Sequence, residues 1–126
     1  MNKLYIPGDL VYIHGSLRII SNCDGYYATY YDENESLQEV NVNVIECIPI
    51  TTEILEKNRW RTQNRWYYYL DVTEGFISYI GIDFKHKSNK GHLYVEVDGN
   101  NMVEIQYCHE LQHFLFGLGI NYEMEV

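Results

Sequence analysis

The sequence predicts an α+β protein built mainly of antiparallel strands, and three observations predict it. Tyrosine occurs 13 times in 126 residues, with doublets at 26–27 and 30–31 and a triplet at 67–69, and tyrosine suits a pleated, half-buried surface. Apolar and polar residues alternate at period two in several short runs separated by Gly, Asn and Asp turn chemistry. Two stretches carry helical spacing or capping instead, one near residues 51–57 and one near 107–117.

Along the chain, residues 10–14, 17–21 and 26–31 read as short strands, broken at Gly15-Ser16 and by a tight turn at Asp24-Gly25. "DENES" is a loop. "VNVNVIE", residues 40–46, alternates like a strand with one wet face. Four short strands in about fifty residues predict a small curled antiparallel sheet, and the opening "PGDLVYIHG" is similar to the first strand of SH3-like barrels. Residues 1–48 are expected to form this β-barrel-like subdomain. Residues 49–126 are expected to form an α+β subdomain, the two making one compact unit.

Pro49 ends the first part. "TTEILEKN" predicts a linker helix capped by Thr51 or Thr52, with Glu53 at the positive end of its dipole and Lys57 at the negative end. "WYYYL", "GFISYIGIDF", "GHLYVEV" and "NMVEI" predict a second β-meander. Its dividers are "TEG", "KHKSNKG" and "DGNN", the last a strong hairpin signal. Residues 75–84 are apolar on both faces, which predicts the central strand.

On a helical wheel the last helix gathers Tyr107, Leu111, Phe114, Leu115 and Leu118 into an apolar stripe. His109, Gln112, His113 and Phe116 fall on the far side. Phe116 there could mark a self-association surface, so a homo-oligomer is one expectation. Gly117 and Gly119 end the helix, and "INYEMEV" alternates as a closing strand.

A formal charge of −9 argues against non-specific attraction to nucleic acid or an anionic membrane, and leaves room for a basic partner. No apolar run reaches membrane-spanning length, and the opening residues lack the apolar core of a signal peptide. Cys23, Cys47 and Cys108 are odd in number and widely spaced, which suits a reduced, cytoplasmic setting rather than a disulfide framework.

Two segments could carry chemistry. His109, Glu110 and His113 match H-E-x-x-H, in which two histidines one helical turn apart bind zinc and the glutamate acts as base. The third ligand is the difficulty. Gly119 stands where the extended zincin pattern places a histidine, Glu123 and Glu125 lie on the expected closing strand, and His86 and His92 lie in a loop. Two solvated histidines on a polar helix face are the plainer reading, so no cofactor is expected and zinc is the alternative.

The second segment is "KNRWRTQNRW". If it is extended, Arg59, Arg61 and Arg65 share one face and Trp60 and Trp66 the other. Guanidinium forks beside aromatic rings suit a phosphate-bearing ligand, a nucleobase or an acidic protein surface. The plainer alternative is a solvated loop paired with the protein's own carboxylates.

"GDLVYIHGSLRIIS", "IECIPITTEILEKN" and "VEIQYCHELQHFLFGLGINYEMEV" together resemble a group of short proteins encoded by Bacteroidales genomes and their phages or mobile elements. That group runs from L-x-x-G-[ND]-x-V through P-I-P-L-T-E-E-x-L-x-K-x-G-F to V-H-x-L-Q-N-L-Y-F-A-L-T-G-E-E-L. The resemblance spans both ends and the linker helix, and its terminal motif is the most specific part. The group usually has Asn where this chain has His113, which weakens the zinc reading. The chain also departs at Asn58-Arg59-Trp60 and at Gly117-Leu118-Gly119.

The resemblance implies a cytosolic accessory factor and no particular catalysis. The expectation is a non-catalytic binding protein acting on a host protein, with Arg59, Trp60, Arg61, Arg65 and Trp66 as partner-binding residues. A binder of a nucleotide-type small molecule through the same residues, and a zinc metallohydrolase, are the alternatives.

Overall fold

The computed structural model describes residues 4–73 and 75–126. It is an α+β structure of antiparallel sheets and two helices, and it divides into two units, Met1–Pro49 with Tyr107–Met124, and Ile50–Gln106 with Glu125–Val126. The C-terminal helix belongs to the same unit as the N-terminal strands and packs on the strand Leu10–Ile13.

The first unit holds β1 (Leu10–Ile13), β2 (Ser16–Ile19), β3 (Asn22–Cys23), β4 (Tyr27–Tyr31), β5 (Leu37–Asn41) and β6 (Ile45–Glu46). They form two three-stranded sheets, ordered β2-β1-β6 and β3-β4-β5. His14 and Gly15 link β1 to β2 with φ of 51° and 79°, the two left-handed residues of a tight hairpin. Tyr5, Val11, Ile13, Ile20, Ala28, Tyr30, Val42 and Ile45 fill the core between the strands.

The alternation over 40–46 predicted one strand, and the chain breaks it. Asn41 ends β5, its side chain accepts the Asn43 N–H, and Val42–Val44 form a 3-10 turn. Beyond the turn, Ile45 and Glu46 pair with β1, whereas β5 pairs with β4. A side-chain cap thus switches the chain between sheets, and period-two patterning cannot report that.

In the second unit, α1 (Thr52–Lys57) is capped by Thr51, whose hydroxyl accepts the Ile54 N–H. It is followed by β7 (Arg61–Thr62), β8 (Tyr67–Asp71), β9 (Tyr79–Asp83), β10 (Leu93–Val97) and β11 (Asn100–Ile105), a meander ordered β11-β10-β9-β8-β7. The central strand is β9, as expected, but only five residues of 75–84 pair. Phe76 is fully exposed, and the "TEG" break includes Glu74, outside the described residues. Asp98 and Gly99, with φ of 51° and 88°, close the predicted hairpin.

The meander register sorts its side chains cleanly. Tyr68 faces Ile82 and Leu70 faces Ile80, with Val95 and Val97 beyond them. With Leu55 and Trp60 buried in the same unit, this is the core face. Tyr67, Tyr69, Asp71, Tyr79, Gly81, Asp83, Tyr94 and Glu96 alternate onto the opposite face.

The remaining helix, α2 (Cys108–Gly117), returns to the first unit. Cys108, Leu111 and Leu115 are buried there, as is Gln112, which the wheel had put on the solvent side. Residues 120–126 form no strand. Within this segment, Tyr122 is tied to the first unit through its carbonyl, which accepts from Gln112, and its hydroxyl, which donates to the Pro7 carbonyl. No helix among the described residues is long and apolar enough to cross a membrane.

Candidate functional site

Two regions concentrate chemistry-bearing side chains, one in each unit. In the first, α2 presents His109 and His113 toward the loop that precedes β1. Nε2 of His113 and Oδ2 of Asp9 are hydrogen-bonded at 2.6 Å, and the Ile6 N–H donates to the same oxygen at 2.8 Å. Asp9 is fully buried. The His109 ring lies against Tyr5 on one side and Tyr107 on another, with centroids 5.1 and 6.0 Å away. Burial pulls its imidazole below the ordinary value, against Asp9 and Glu110, which raise it.

These histidines are therefore not the solvated pair of the plainer sequence reading. Nor is Glu110 placed as a hydrolytic base, because its carboxylate accepts the Tyr107 N–H at 2.9 Å and caps α2. Among the described residues, Oδ1 of Asp9 and Nδ1 of His109 are buried without hydrogen-bond partners. Among the described residues no three His, Cys, Asp or Glu side chains form a group that could hold a metal ion.

Around this cluster Gln112 acts as a bracket. Its Oε1 accepts the Leu10 N–H at 2.9 Å, and its Nε2 donates to the carbonyls of Gly8 and Tyr122 at 2.9 and 3.0 Å. Tyr122 in turn donates to the Pro7 carbonyl and meets the edge of Phe116. Phe116 is 56% exposed, with Tyr122 covering part of its ring. The Tyr5 hydroxyl and the Cys47 thiol stand 3.5 Å apart, and burial raises the tyrosine's pKa. Cys108 is buried, and its thiol is pushed up to about 12, which leaves it unreactive at neutral pH.

The Arg/Trp segment is not extended. Arg59 and Arg65 both have φ of 68°, so the backbone turns at each and the shared arginine face does not form. Trp60 is a core residue of the second unit, only 5% exposed. Trp66 is half-buried, with Lys85 over its ring at 5.3 Å and His86 edge-on at 5.9 Å. Arg61 is the member that reaches a cavity-lining surface. Its guanidinium sits 5.6 Å from the Tyr69 ring centre and donates to Oδ2 of Asp71 at 3.0 Å.

That surface is a cleft of about 290 Å³ on the polar face of the meander, lined by Gln63, Asn64, Tyr67, Tyr69, Asp71 and Tyr79. Asn64 is fixed by accepting the N–H groups of Trp66 and Tyr67. The Tyr67 hydroxyl crosses Gly81 to reach Oε1 of Glu96 at 3.4 Å, and a Cβ at Gly81 would overlap that hydroxyl. Burial raises the pKa of Glu96, and the Asp83 charge adds to it, while the Tyr67 hydrogen bond opposes them. Burial likewise raises the Tyr67 phenol, with Glu96 and Tyr79 contributing.

Sequence reasoning named Arg61 but missed the tyrosines and acids around it. The signal was present in the alternation of "YYYLD" against "YIGID". It required the strand register, which alone places Tyr69 opposite Gly81 and Asp71 opposite Tyr79. Comparison with protein-family models, with curated proteins and with solved structures finds no match.

Proposed function

We propose that the protein is a non-catalytic binding module whose polar sheet face takes a basic protein segment, with an arginine or lysine side chain entering the tyrosine cleft. The observation that carries this reading is the cleft's composition: three tyrosine rings beside Asp71, with Glu96 and Asp83 on the same face. Tyrosine faces attract cations through their quadrupole, and carboxylates add charge and hydrogen-bond acceptors. The chain's net charge of −9 steers a basic partner toward it.

Size supports one side chain over a nucleotide. At about 290 Å³ the cleft falls just below the range of roughly 300–1,000 Å³ typical of small-molecule sites. The resemblance of the terminal motif supports an accessory factor of a phage or mobile element, and the acidic charge supports a basic host protein as its partner.

The test is a calorimetric titration with an arginine-rich peptide and a glutamate-rich peptide of equal length at physiological salt. The basic peptide should bind saturably, and Tyr79→Ala and Asp71→Asn should each weaken it about threefold, the scale of one exposed cation–π or ion-pair contact. Equal binding of the acidic peptide, or variants that bind as tightly as the wild type, refutes the reading.

A further inference from the structure

When no partner is bound, the charge and ring faces of the cleft still need a cation. Arg61 supplies it. It lies directly across from Tyr69 in the β7–β8 ladder, its guanidinium rests over the Tyr69 ring, and it donates to Oδ2 of Asp71. Tyr69 and Asp71 are both walls of the cleft, and Arg61 is not. The chain thus offers its own guanidinium to the two groups that an incoming cation would use.

Resting on the cation-binding reading, we propose that Arg61 is a built-in competitor, and that an external arginine or lysine side chain binds by displacing it from Tyr69 and Asp71. Displacement is physically cheap. The Arg61 and Asp71 side chains are 67% and 52% exposed, and exposed pairs of this kind contribute little because water and salt screen them. A released guanidinium is rehydrated without leaving a buried charge behind. The ligand that replaces it gains the same ring face and the same carboxylate, together with the Tyr67 and Tyr79 rings that line the cleft.

The arrangement also sets selectivity. A cation reaching only Asp71 must outcompete a tethered guanidinium for one acceptor. A side chain long enough to enter between the tyrosines adds contacts that the tether lacks, so isolated small cations should bind poorly and extended arginine or lysine side chains well.

Removing the competitor should tighten binding, the reverse of what loss of a ligand-contacting arginine does. The experiment measures the affinity of the arginine-rich peptide for the wild type, for Arg61→Gln and for Lys87→Gln. The last makes the same change in net charge at an exposed position between β9 and β10. Arg61→Gln should bind about threefold tighter than Lys87→Gln, the scale of one exposed cation–π contact or ion pair. If Arg61→Gln and Lys87→Gln match, Arg61 acts only through net charge and the competitor is overturned. If Arg61→Gln binds more weakly than wild type, Arg61 contacts the partner and the competitor is again overturned, with the cation-binding reading intact. If none of the three proteins binds the peptide, the reading falls and the competitor with it.

Discussion

His113 on α2 and Asp9 ahead of β1 are 104 residues apart in sequence and 2.6 Å apart in space, through Nε2 and Oδ2. The carboxylate is fully buried while the imidazole is about a third exposed, so the histidine is the solvent-facing partner of an otherwise enclosed acid. Removing one member of such a pair leaves the other without compensation. His113→Ala should therefore destabilise the protein by about 3 kcal/mol. Urea denaturation at neutral pH measures this, and the loss should be the same with and without added zinc.

Gln112 is the second link across the same distance. Gln112→Leu keeps the side chain's approximate size but strands the Leu10 N–H and the Gly8 and Tyr122 carbonyls. A cost of about 3 kcal/mol is expected, since each lost bond to a buried group is worth about 1 kcal/mol or more. Limited proteolysis should also show earlier cleavage within residues 119–124 than in the wild type.

Gly81 and Tyr67 should be strongly non-additive. Gly81→Ala places a methyl group where the Tyr67 hydroxyl lies, at a cost of about 1–3 kcal/mol for overpacking. In a Tyr67→Ala background the obstruction is gone, and the same substitution should cost only a few tenths of a kcal/mol. A double-mutant cycle in urea reads the difference directly.

Glu96 carries a pH signature. Its pKa is raised in the folded protein by burial and by Asp83, so the native state binds the proton more tightly than the unfolded chain does. The corresponding stability is present in full below the ordinary glutamate range and is lost as pH rises through the elevated value. Glu96→Gln should therefore raise the urea midpoint at pH 7 with an unchanged m-value, and the gain should vanish below about pH 4. A gain of equal size at both pH values would show that packing, not ionisation, is responsible.

Much of the fold was legible because it rests on local signals. Thr51 caps α1 as its position announced, and Asp98-Gly99 turns the β10–β11 hairpin. What was not legible depends on partners far along the chain. Gln112 looks like a surface residue until Gly8, Leu10 and Tyr122 surround it, and "INYEMEV" has strand periodicity but finds side-chain brackets instead of a ladder. The arginine segment failed for a different reason. Arg59 and Arg65 occupy left-handed backbone positions, a conformation that arginine's propensities do not advertise. His109 and His113 drew notice for their spacing, but the aspartate that His113 reaches could not be inferred from that spacing.

The bridge between Pro49 and Tyr107 in the first unit, and the Ile50 N–H donating to the Gln106 carbonyl in the second, mean that the chain leaves and re-enters the N-terminal unit at neighbouring points. The meander is thus a cassette spliced into a host that is discontinuous in sequence. Nascent chain emerging from a ribosome makes the host's strands first, yet these lack their helix until the whole cassette has been synthesised. The β8–β11 meander closes through sequence-local pairings, so its ladder can form while the host's strands still wait for α2.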